Sequence, residues 1–268
     1  MSGIVVITTK GEARRNFANA LHVETNMAVS LVVLQNVGKN GGILRRIITL
    51  YKKSSLLGIF VELYHFLAVK LSPQKRRALA ILSRRSVISD MKEGYLAETI
   101  ETNEVNEDAV YERVKELSPD LIVIWGGYIL KPRLLHLAPH AVNMHFGVVP
   151  YYRGVNAVQH AILNDDFERI GITIHHAVPE VDAGKVIKIV TTSYRKSPEN
   201  FFMTLNDLAT REYLDIVKRI LKERRIDSEP QDLSRGKNYL SKEWTYKKQN
   251  LLAKKILEWK KPYKKAQQ

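Results

Sequence analysis

Apolar positions group along this chain in two ways, and their alternation outlines an architecture. Gly3-Ile4-Val5-Val6-Ile7-Thr8-Thr9 is a short run rich in Ile and Val, which predicts a buried strand. Residues 12–23 follow with Phe17, Ala20 and Leu21 on one helical face, and residues 28–34 return to a short apolar run. A strand–helix–strand opening predicts a parallel sheet covered by helices. Residues 41–85 interrupt the pattern with basic, helix-compatible sequence punctuated by Gly41, Gly42 and Ser72-Pro73. The alternation then resumes. It predicts a helix over 106–117, a buried strand over 121–125, a short helix over 131–137 and a strand over 141–146. A helix over 156–164 and strands over 171–178 and 186–190 come next. Residues 199–224 carry the 3.6-residue period of one long helix. The remainder is polar, basic and less regular.

The expected class is therefore α/β: a Rossmann-like, mostly parallel sheet with helices on both faces, a basic helical insertion and a small C-terminal appendage. The body spans 1–190, with 41–85 as the insertion. A C-terminal helix and basic tail occupy 191–268.

Charge refines this picture by its location. The 268 residues carry a formal net charge of +14. Residues 45–85 hold ten Lys or Arg against the single acid Glu62, and residues 218–268 hold sixteen Lys or Arg against six acids. The other 176 residues are net −5. Basicity thus belongs to the insertion and the tail, which weakens a reading of the whole fold as a nucleic-acid binder. The insertion is expected to be a pair of solvated helices. Contact with an anionic membrane surface or with RNA phosphates through 41–85 and 218–268 is the other use its charge allows.

Other classes are excluded by what the chain lacks. There is no cysteine, so disulfides, thiolate zinc sites and thiol nucleophiles are excluded. The first turn, Thr9-Lys10-Gly11-Glu12, has one glycine, so the GxGxxG dinucleotide fingerprint is absent. Residues 3–9 are too short for a secretory core, and the apolar stretch over 56–69 is broken by Glu62 and His65. A cytoplasmic protein, membrane-peripheral if the insertion lies on lipid, is expected.

Candidate chemistry gathers late in the body. Asn143 and His145 stand two apart on a strand, so their side chains share a face. A glycine-flanked loop follows, Gly147 to Gly154, containing Tyr151, Tyr152 and Arg153. Asp182 lies in the later loop Glu180-Val181-Asp182-Ala183-Gly184, positioned to return to the same crevice at the carboxyl ends of the strands. An Asn amide can donate to a developing oxyanion. A His can donate or relay a proton, and an Asp can orient and charge-stabilise it. Such a set suits acyl transfer to a substrate that brings its own nucleophile. His175 and His176 alternate faces and join no carboxylate cluster, so structural or substrate-lining roles are expected rather than metal binding. No metal site is expected.

The run from Asn143-Met144-His145 through Pro150-Tyr151-Tyr152-Arg153-Gly154, Gly171-Ile172-Thr173 and Val181-Asp182-Ala183-Gly184 resembles the formyltransferase family that uses 10-formyltetrahydrofolate. The resemblance covers roughly residues 1–190 outside the insertion. It implies Asn143, His145 and Asp182 as catalytic residues. It implies a folate co-substrate near Trp125, Gly127, Tyr128, Ile129, Leu130, Val178 and Gly184, with contacts largely to backbone. Tyr151, Tyr152 and Arg153 are the candidates on the acceptor side, beside readings of the tyrosines as packing residues and of Arg153 as a brace for its loop.

Within that family the Tyr-Tyr-Arg-Gly loop, the Gly-Ile-Thr-Ile-His run and Gly236-Lys237-Asn238-Tyr239 look most like the nucleotide-sugar N-formyltransferases. This implies a nucleotide-linked amino sugar as acceptor and a homodimer. A methionyl-tRNA formyltransferase-like enzyme is the alternative, although the 78 residues after Val190 are short for the C-terminal barrel of those enzymes. A basic RNA-binding or membrane-peripheral module on the same scaffold is the non-enzymatic alternative.

Overall fold

A computed structural model of the chain describes residues 3–36, 56–82, 93–127 and 129–264. Its centre is a seven-stranded sheet in the order β3-β2-β1-β4-β5-β7-β8. The strands are β1 (Ile4–Thr9), β2 (Val29–Gln35), β3 (Glu98–Thr102), β4 (Leu121–Trp125), β5 (His140–His145), β7 (Ile172–His176) and β8 (Val186–Val190). The first five run parallel, and β7 and β8 pair antiparallel to what precedes them. Helices α1 (Glu12–Glu24), α4 (Asp108–Leu117), α5 (Pro132–Leu135), α6 (Ala157–Leu163) and α7 (Pro198–Glu223) follow the strands. The expected mostly parallel α/β architecture is what the chain forms.

Strand periodicity sorts the core into two layers. Ile4, Val6, Leu121 and Val123 face one side with Phe17 of α1 and Phe201 and Tyr213 of α7. Val5, Ile7, Ile122 and Ile124 face the other with Val110 and Val114 of α4 and Leu134 of α5. Burial on both faces explains why β1 and β4 read as unbroken apolar runs rather than alternating ones. Because α7 shares the first of these layers, residue 190 is no break in the core, and the boundary drawn there must be corrected. Tyr213 ties the layer to the sheet. Its hydroxyl accepts from the Ile124 N–H at 3.1 Å and lies 2.9 Å from the carbonyls of both Ile124 and Val142.

Three elements depart from expectation. Strand β3 was not anticipated, because Glu98-Thr99-Ile100-Glu101-Thr102 is polar and mostly exposed. It is an edge strand, held by its backbone pairing to β2. The tail is not irregular. Residues 237–239 form β9, which pairs in parallel with β6 (Tyr152–Gly154), and α8 (Tyr246–Lys264) follows. The described insertion forms α2 (Leu56–Lys70) and α3 (Pro73–Ile81), both packed against α8. Val69, Ala78 and Ile81 are buried beside Leu252, Ala253 and Ile256. The helices are therefore not a detached solvated pair. Gly41, Gly42 and the basic positions Arg45, Arg46, Lys52, Lys53, Arg84 and Arg85 lie outside the described residues. Among those described, no helix is long and apolar enough to cross a membrane.

Candidate active site

The carboxyl ends of β4 and β5 open into a cleft of about 610 Å³. Its polar apex is built by strand register. Asn143 sits directly opposite His175, and His145 opposite Thr173, across the antiparallel β5–β7 pair. Two residues spaced by two on each strand therefore share one face. Thr173 secures the loop after β5 by donating to the Gly147 carbonyl at 2.7 Å and accepting from the Val149 N–H at 3.3 Å.

Asp182 comes to this face from the loop after β7. Its backbone takes the left-handed conformation, φ 49°, which Asp tolerates better than most residues. Gln231 fixes the loop by donating to the carbonyls of Asp182 at 3.0 Å and Gly184 at 2.6 Å. The carboxylate then has four neighbours. Gly154 N–H donates to Oδ2 at 2.8 Å, and Asn143 Nδ2 donates to Oδ1 at 3.4 Å. His145 Nδ1 lies 3.2 Å from Oδ2, and His175 Nε2 lies 3.4 Å from Oδ1. Burial alone would raise the pKa of Asp182. His145 beside the carboxylate and the Gly154 N–H outweigh it and hold the carboxyl at about 2.

The proton positions follow from the acceptors. His145 Nε2 is 2.9 Å from the Tyr152 carbonyl, which can only accept, so Nε2 carries hydrogen. The 3.2 Å contact between Nδ1 and Asp182 is attractive only with a second proton between them. Burial presses the imidazole below its ordinary range, against the pull of Asp182, so that shared proton is weakly held. His175 Nδ1 lies 2.8 Å from the His176 carbonyl and is likewise a donor. Its Nε2 then accepts from Asn143 Nδ2 at 3.2 Å. Both hydrogens of the Asn143 amide thus have acceptors, His175 Nε2 and, more distantly, Asp182 Oδ1, while the residue also lines the cleft.

Below the apex the cleft wall is apolar: Ile129, Leu130, Leu135, Ala177 and Val178 on one side, Phe202 and Leu205 of α7 on the other. Gly126 and Gly127 approach it with φ of 73° and 115°, a conformation that only glycine adopts without strain. An apolar slot ending in convergent polar groups suits a flat heteroaromatic ligand whose reactive atom reaches the apex. Residues 238–241, brought in by β9, close the remaining side.

Several expected ligand residues are placed elsewhere, and these are corrections. Trp125 is buried, edge-on to Phe17 at 5.1 Å and stacked on Phe146 at 6.4 Å, because it completes the β4 core. Gly184 does not line the cleft. A Cβ there would stand 1.8 Å from the His176 carbonyl oxygen, so glycine serves close backbone packing. Arg153 is buried and reaches Glu180 and the Val181 carbonyl, both at 3.4 Å, so it braces the Asp182 loop. Tyr151 and Tyr152 line a separate, shallower recess with Arg235 and Lys237. Tyr128 lies outside the described residues. His175, expected to serve structure or line substrate, and Asn238, expected only as part of the Gly236–Tyr239 run, are further contributors to the cleft. The Thr-x-His spacing on β7, which repeats Asn-x-His on β5, was the signal for the first. The Gly236-Lys237-Asn238-Tyr239 run marked the second, without placing it at the cleft. Among the described residues no cluster could hold a metal ion.

Comparison with known proteins bears on this geometry. Residues 63–197 match the family described as formyl transferase. Methionyl-tRNA formyltransferase of Limosilactobacillus fermentum is 30% identical over 164 residues, covering 60% of this chain and 52% of that protein. The chain spans about half the length of the relatives it matches by sequence. Among solved structures, a sugar N-formyltransferase from Shewanella aligns with TM-score 0.57 and 14% identity, over 95% of this chain and 88% of that one. An N-formyltransferase from Helicobacter canadensis, in complex with folinic acid and dTDP-3-aminofucose, aligns with TM-score 0.54 and 13% identity, over 94% and 79%. At these identities the structural likeness establishes the fold.

Proposed function

The chain belongs to the formyl transferase family, and from that premise we propose that it moves a formyl group from a 10-formyltetrahydrofolate donor to the amine of a nucleotide-linked amino sugar. The observation that carries the reading is the convergence of Asn143, His145 and Asp182 at the apex of an apolar cleft. The folate donor would supply the activated formyl group, held against Gly127, Ile129, Leu130 and Val178. Asn143 turns the amide hydrogen that it shares weakly with Asp182 toward the oxygen on which negative charge develops. The His145–Asp182 pair holds the one proton that can move at the apex. His175 keeps the Asn143 amide aimed by accepting its other hydrogen. The apolar wall keeps water from competing with the amine.

The acceptor class is supported by the second recess. Arg235 and Lys237 border it, and it shares Tyr239 with the main cleft. A diphosphate emerging beside the sugar would meet these cations. The relatives matched by sequence favour a second reading, with an initiator aminoacyl-tRNA as acceptor. Tetrahydrofolate release from 10-formyltetrahydrofolate, followed with a panel of nucleotide-linked amino sugars, initiator methionyl-tRNA and glycinamide ribonucleotide, separates the two. Turnover with at least one amino sugar, at least a hundredfold above the other acceptors, is expected. Turnover confined to the tRNA would replace the first reading with the second, and no release with any amine would overturn both.

A further inference from the structure

Helix α2 is apolar on the side it turns outward. Its inner face, with Ile59, Phe66 and Val69, meets α8, and its one acid also points inward, where Glu62 accepts from the Tyr246 N–H at 2.7 Å. The outer face carries Leu57, Phe60, Val61, Leu63, Tyr64, Leu67 and Leu71, all exposed, over four turns. Leu57 and Leu71, at its two ends, are 72% and 74% exposed. Lone exposed leucines are ordinary, but a continuous helical face of them is not.

The rim of this face is cationic. Lys70 ends the helix, and Arg76 and Arg77 are exposed on α3 immediately after it. Along α8, the neighbour of both, the solvent side presents Lys247, Leu251, Lys254, Glu258 and Lys261. No acid stands on the outer side of α2.

We propose that the α2 face lies on an anionic phospholipid surface. Its apolar side chains would enter the boundary between headgroups and acyl chains, while the cations of α3 and α8 meet the headgroup phosphates. A second copy of this chain is a poorer occupant, since a two-fold contact would set one cationic rim against another. RNA is poorer still, because phosphates gain nothing from leucine and phenylalanine. The face belongs to the layer that reaches the cleft, as Leu82 at the end of α3 lines it.

The test is co-sedimentation of the full chain with vesicles of phosphatidylcholine and phosphatidylglycerol at a 7:3 ratio, and with pure phosphatidylcholine, at low and high salt. At least tenfold stronger partition to the anionic vesicles is expected, weakening as salt rises. Phe60→Asp with Leu67→Asp, both at exposed positions, should abolish it while circular dichroism stays unchanged. Arg76→Glu with Arg77→Glu should reduce it and flatten its salt dependence. Should the aspartate pair perturb the fold, Leu57→Ser with Leu71→Ser serves the same purpose. The proposal fails if the chain stays in the supernatant with anionic vesicles, or if binding survives loss of the apolar residues. It also fails if sedimentation equilibrium finds a dimer that the aspartate variant dissociates.

Discussion

At the scale of single residues, the site depends on how few protons it holds. Asp182 is kept ionised by His145 and a backbone N–H although it is buried. Its replacement by Asn preserves shape and removes the charge. The proton between Nδ1 of His145 and the carboxylate then loses its partner, and turnover should fall by about 10²–10⁴-fold. His145→Ala should do comparable damage. Steady-state rates of the two variants, with folding followed by circular dichroism, check this, and near-normal turnover in both would remove these residues from the chemistry. His175 makes a subtler prediction. His175→Gln can still accept from the Asn143 amide, whereas His175→Ala cannot. Alanine should therefore lower kcat by about tenfold or more, and glutamine should recover part of it. Equal losses in the two variants would show that His175 only fills space.

At the scale of elements, the side of the cleft closed by residues 238–241 is backed by a small aromatic stack. His160 of α6 lies with its ring 3.9 Å from that of Tyr239 and edge-on to Trp244 at 5.5 Å. Burial, reinforced by Lys248, lowers it to about 4. The unfolded chain binds that proton near pH 6.5 and the folded chain only near 4, so the unfolded state carries more protons between these values. Stability from this group is fully present above about pH 6.5 and is lost as pH falls through that window. The loss is on the order of 3 kcal/mol at about 1.4 kcal/mol for each unit of pKa. His160→Phe should flatten the acid limb of a urea-denaturation profile taken from pH 7 to pH 4, and an unchanged slope would refute the assignment. This stack also marks where sequence reading stops. Residues 3–9 and 121–125 were legible as strands because burial on two faces leaves unbroken apolar runs. Asn143, His145 and Asp182 were legible because a period of two and a loop position suffice to bring them together. β3 was not, since an edge strand needs little apolar surface. Nor was β9, three residues whose only local reason to be extended is the partner strand over 152–154.

At the scale of the molecule, the tail is structural rather than appended. α8 covers α2 and α3, and Trp259 at its far end packs among Phe167, Phe201 and Phe202 while donating to the carbonyls of Tyr194 and Lys196 at 3.2 and 3.1 Å. Trp259→Ala should cost about 3–5 kcal/mol, read as a lower denaturation midpoint at an unchanged m-value. A loss below about 1 kcal/mol would mean that α8 is held mainly by α2. The charge also looks different at this scale. Its two basic stretches, far apart in sequence, meet as neighbouring helices α3 and α8, which no count along the chain could show.

The pairing of β6 with β9 has a temporal meaning. Asn143 and His145 leave the ribosome about ninety residues before Asn238 and Tyr239, and β6 has no partner in the two-stranded sheet until β9 has been synthesised. During that interval the growing chain can assemble its parallel strands in order, but one wall of the cleft is still missing. The cleft is therefore completed only after residues 237–241 have been made. A nascent chain arrested before β9 emerges would hold Asn143, His145 and Asp182 beside a cleft with one side still open.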